Sequence, residues 1–187
     1  MKNLIIVSII SLAIGSITMQ SCKKKDDTPA PAKPTLYDSL GGTAMVADPA
    51  NSGTQIEAGR LLIRNIIDST IFVIAGDTAI NPLFTTLLTE VKAGNLSGFQ
   101  KLSKNLTDFV AVGTGAKDYT YGGLSMVAAH DPATNPRISG KVDNGDMDSF
   151  ETDLFKGAAK AGVPASTPAL ISVGKIVESL RSQVVQK

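Results

Sequence analysis

Side chains for imidazole or thiol chemistry are scarce in this sequence. It holds a single histidine, His130, and a single cysteine, Cys22. One imidazole excludes every site that needs two, HExxH zinc sites included. One thiol excludes intrachain disulfides and thiolate zinc sites. All imidazole chemistry therefore runs through His130, which closes the short apolar turn Met126, Val127, Ala128, Ala129. Lys101 and Lys104 stand in a second apolar segment, and a lysine that loses its proton on burial exposes a lone pair. The carboxylate-dense run Asp143, Asp146, Asp148 lacks the alternating oxygens, central glycine and terminal glutamate of a calcium loop, and reads as a helix start. There is no Gly-x-Ser-x-Gly, no P-loop and no dinucleotide glycine fingerprint, so no catalytic residue is assigned.

The only cysteine has a distinctive neighbourhood. Lys2 precedes an almost wholly apolar run over residues 4–17, LIIVSIISLAIGSI. That is the length of a signal-peptide core and short for a bilayer span. Met19, Gln20 and Ser21 then lead into Cys22, and this segment resembles a bacterial lipoprotein signal with a relaxed lipobox. The resemblance implies cleavage after residue 21, lipidation of Cys22 and a lipid-anchored place in the cell envelope, at the outer membrane. Several acyl chains on one residue would exceed the one-chain limit for stable anchoring, at roughly 0.8 kcal/mol per buried CH₂. Residues 23–35, KKKDDTPAPAKPT, bury nothing and read as an extended tether reaching roughly 40 Å. Its charged start fits a solvated spacer and an export tag for the cell surface equally well, so the leaflet stays open.

Residues 36–187 have the spacing of a helical domain. Leu61, Leu62, Ile63, Ile66, Ile67, Ile71 and Ile74 recur at intervals near three and four, although the β-branched run from Ile71 to Ala75 also suits a strand. Phe99, Leu102, Leu106, Phe109 and Val110 define a second helix. A third is expected from Met147 to Ala161, capped by Asp146 and stopped by Gly162 and Pro164. A last one starts near Thr167 and Pro168 and fills the C-terminus. Glycine- and proline-rich connections separate them, and those over residues 47–59 and 131–145 are long for a helical domain. Charge is balanced, at 18 Lys and Arg against 17 Asp and Glu over the 187 residues. With no basic block, no nucleic-acid partner is expected.

The motifs LYDSLGG (36–42), DTAINPLF (77–84), Leu106 to Val110, YGGLSMVAAH (121–130) and AGVP (161–164) occur in the order found in truncated globins. The domain resembles that family, closest to its first group. The resemblance implies an all-α fold, a truncated-globin-like helical sandwich with two inserted loops, 47–59 and 131–145. It also implies a b-type haem with His130 as the proximal iron ligand. Met126 falls at the family's M-x-x-x-H position, Phe84 against the porphyrin and Phe109 on the distal side.

The distal positions depart from the family. Ile71 falls where a tyrosine donor usually stands, Asn105 falls at a glutamine position, and Lys104 is the residue best placed to act as a sixth ligand, against the plainer reading of a solvated lysine. The expected partners are haem, small gaseous ligands such as oxygen or nitric oxide, and the membrane through the lipid. A haem-free structural or interaction module of the envelope is the alternative.

Overall fold

The computed structural model describes residues 32–187. The expected signal segment, Cys22 and the tether up to residue 31 lie outside the described residues. Lys33–Lys187 form one compact unit, predominantly helical, with a single two-stranded hairpin among the described residues. Within them no single helix is long and apolar enough to cross a membrane.

The first element, α1 (Leu36–Ser39), is fixed by a reciprocal cap in which Thr35 and Asp38 bond each other's backbone. Its Tyr37 is 1% exposed and donates its hydroxyl to Glu57 at 2.5 Å. Gly41 and Gly42 follow with φ of +117° and +60°. Only glycine takes such angles cheaply, and this lets the chain reverse tightly against the start of the next helix. A Cβ on Gly41 would lie 3.0 Å from the backbone of Ala58 and Gly59.

The connection expected over residues 47–59 is largely a hairpin. β1 (Met45–Ala47) pairs antiparallel with β2 (Gln55–Glu57), with Val46 opposite Ile56. Asp48 organises the turn, accepting from the Ala50 N–H and the Asn51 amide and pairing with Arg64 at 2.6 Å. β2 runs directly into α2 (Ala58–Gly76), so this helix starts three residues earlier than its apolar repeat. The strand alternative for Ile71 to Ala75 is not realised, because those residues continue α2.

After a 3-10 turn at Asn81–Phe84 come α3 (Thr85–Lys92) and α4 (Ser97–Gly113). The one-turn α5 (Met126–Ala129) precedes His130. α6 (Asn144–Lys160) is capped by Asp143, not Asp146; the two aspartates form a reciprocal box with bonds of 2.9 Å each way. The expected single C-terminal helix is two, α7 (Pro168–Glu178) and α8 (Arg181–Val184).

The tightest helix crossing is α2 on α6. A Cβ on Gly157 would lie 2.6 Å from the backbone of Thr70, so only glycine permits this approach. Leu154, Ala158 and Leu170 are almost fully buried beside it. The core continues into α7 and is interrupted toward α4 and α5 by a cavity.

Candidate functional site

The cavity encloses about 930 Å³ of space between atoms, with its open mouth and the solvent in that mouth included. α2 contributes Ile67 and Ile74, and α4 contributes Leu102, Leu106, Phe109 and Val110. Leu83 and Phe84 enter from the 3-10 turn. The other side is built by Met126, His130 and α6, with Val184 from α8 closing the end.

His130 is the C-cap of α5, and its ring is fixed by that turn. Its Nδ1 lies 2.7 Å from the Met126 carbonyl oxygen. A carbonyl only accepts, so Nδ1 carries the hydrogen and the neutral ring keeps its lone pair on Nε2. Burial holds the imidazole below its usual value of 6.5, although the Met126 bond opposes this. The side chain is thereby a neutral nitrogen donor in a hydrocarbon cavity. The four-residue spacing of Met126 and His130 matters because one turn of helix puts that carbonyl beside the ring.

A one-turn helix is not stable alone, and α5 is held from three directions. Ser125 accepts from the Ala128 N–H at 3.3 Å. Two of the carbonyls left over at its end find a side-chain donor: Gln186 Nε2 bonds Val127 at 2.8 Å, and Asn135 Nδ2 bonds Ala129 at 2.8 Å. Tyr121 packs edge-on against Phe109, with centroids 5.4 Å apart, and donates to the Leu124 carbonyl at 2.7 Å. Its ring occupies the space a side chain on Gly123 would need.

The segment 131–145, expected as an insertion, is a wall of the cavity. Ile138 and Val142 line it. The Ser139 N–H bonds the Leu83 carbonyl at 2.8 Å, and Arg137 pairs with Glu90 at 3.1 Å, tying the segment to the 3-10 turn and α3. The C-terminal tail pins it from the other side, with Gln186 N–H on the Val142 carbonyl at 2.8 Å and Val142 bridged to Val185. Arg181, which starts α8, is anchored by Asp148, Glu178 and Asn144. Beside it, desolvation and Glu178 push the Glu151 carboxyl up to about 7.

Of the residues singled out from the sequence, His130, Met126, Phe84 and Phe109 meet at this cavity. Ile71, Asn105 and Lys104 are not among its lining residues. Ile71 is buried in the core between Ile67 and Ile74, which form the wall in its place. Asn105 is half-buried on α4. Lys104 projects on the outer face, its side chain 68% exposed, and its ammonium pairs with Asp108 at 2.5 Å. The other oxygen of Asp108 binds Arg60, also at 2.5 Å, and Arg60 stacks 4.1 Å from the centre of Tyr119. The sixth-ligand role is therefore set aside in favour of this surface network.

Gln186, Asn135, Ile138 and Val142 were missed, because side-chain bonds to distant carbonyls and walls built by irregular chain carry no periodic signal. Met147, Phe150 and Leu154 could have been found, since they repeat at three and four along α6.

The donor set fits a haem: a neutral imidazole with Nδ1 tied to a carbonyl, among mostly apolar walls that include three phenylalanines. Compared with known proteins, the chain matches no protein-family model and no curated sequence.

Proposed function

We propose that the protein binds one b-type haem in this cavity through Nε2 of His130, as a truncated-globin-type domain held at the cell envelope by a lipidated Cys22. The observation that carries the reading is the His130 ring itself, neutral, oriented by Met126 and set in a cavity whose other lining side chains, Asp146 apart, are apolar. Met126, Asn135 and Gln186 orient the turn that bears the ligand, while Phe84 and Phe109 would help hold the haem and exclude water. Bound there, a haem supplies an iron centre for diatomic gas binding or for redox and nitric oxide chemistry. No residue of the chain is assigned a catalytic role.

Titration of the protein with haemin tests this. A Soret band that saturates at one haem per chain is expected; no saturable band leaves the haem-free envelope module as the reading.

A further inference from the structure

The cavity carries almost no hydrogen-bonding groups. Its α2 and α4 walls, from Ile67, Ile74, Leu102, Leu106, Phe109 and Val110, are hydrocarbon throughout. Among the described lining residues the polar side chains are His130 and Asp146, and Asp146 is an acceptor engaged by the Asp143 N–H at 2.9 Å. Hydroxyls on or against the same helices are turned elsewhere. Thr70 donates to the Ile66 carbonyl, Ser103 to Asp68, and Tyr121 to the Leu124 carbonyl. Thr107 is buried without a partner but does not line the cavity. Lys104 is held on the outer face by Asp108.

We propose, on the haem reading above, that this donor-free wall selects among diatomic ligands: carbon monoxide and nitric oxide are retained and dioxygen is released quickly. Dioxygen draws negative charge when it binds reduced haem, and a nearby donor is what holds it. Carbon monoxide and nitric oxide take on far less charge and do not depend on one. The hydrocarbon walls provide no donor, and the N–H groups of Ile67, Leu102, Leu106 and Phe109 lie beyond the first turns of α2 and α4, where helical N–H groups bond the preceding turn. The ligand class is thus set by what Ile67, Leu102, Leu106 and Phe109 lack.

The test uses the haemin-loaded, reduced protein and its Leu102→Gln and Phe109→Tyr variants, both at half-buried positions. The infrared C–O stretch of the carbon monoxide complex reports donors in the cavity, and the dioxygen dissociation rate reports retention. The expected wild-type stretch is unchanged in D₂O. At least one variant is expected to lower it and to slow dioxygen release about tenfold or more. A wild-type stretch that already shifts in D₂O overturns the inference, as do two variants that move neither quantity. Failure to form a complex at one haem per chain that depends on His130 overturns the haem reading as well.

Discussion

His130 carries its role through two separate causes, burial and the Met126 carbonyl. The first disfavours the charged ring, and the second fixes which nitrogen keeps its lone pair. In the unfolded chain the imidazole takes up a proton near 6.5, whereas the folded protein resists protonation until lower pH. Between those values the unfolded state binds more protons, so this contribution to stability is complete above about 6.5 and is lost as pH falls through the folded value. Thermal unfolding between pH 7.5 and pH 5 is expected to show a smaller acid loss in His130→Leu than in the wild type. An identical loss would mean that the ring is not buried in its neutral form. At this scale the single imidazole made His130 easy to single out, and it does line the cavity. The sequence misled where a position was reached by counting along a helix. Lys104 and Asn105 share α4 with Leu102 and Leu106, but Asp108, one turn on, draws the Lys104 ammonium to the surface.

The elements divide into those with a periodic apolar face and those without. α2, α4, α6 and α7 were legible because each buries a stripe at helical spacing, and their ends shifted by a few residues where caps decided, as with Asp143 for α6. The three-residue strands of the hairpin are too short to show alternation, and the segment 131–145 becomes a wall through bonds to Leu83, Ala129 and Gln186. The break between α7 and α8 also left no plain signal, since its apolar positions continue across it. What sets the frame is the α2–α6 crossing. Gly157→Ala would gain helix propensity of about 1 kcal/mol, yet its methyl meets Thr70 backbone that cannot yield. A net loss of about 3 kcal/mol is expected in denaturant unfolding, with haem affinity reduced because the same two helices bear the cavity wall. An unchanged midpoint would show that α2 and α6 can separate freely.

At the scale of the whole molecule, a helical domain with a largely apolar cavity follows a segment proposed as an envelope anchor. The described domain carries no strong charge imbalance, with 13 basic against 15 acidic residues over 36–187, so the proposed attachment rests on Cys22 alone. Cys22→Ala is expected to move the protein from the membrane fraction to the soluble fraction or to block its maturation, followed by fractionation and by acyl labelling. Retention of both membrane association and label would exclude lipidation at that residue. The central claim is that Nε2 of His130 is a haem ligand, and His130→Gly with and without added imidazole tests it most directly. Loss of the saturable Soret band is expected in the variant, with its return when free imidazole fills the vacated space at millimolar concentration. A variant that binds haemin like the wild type without imidazole would contradict it.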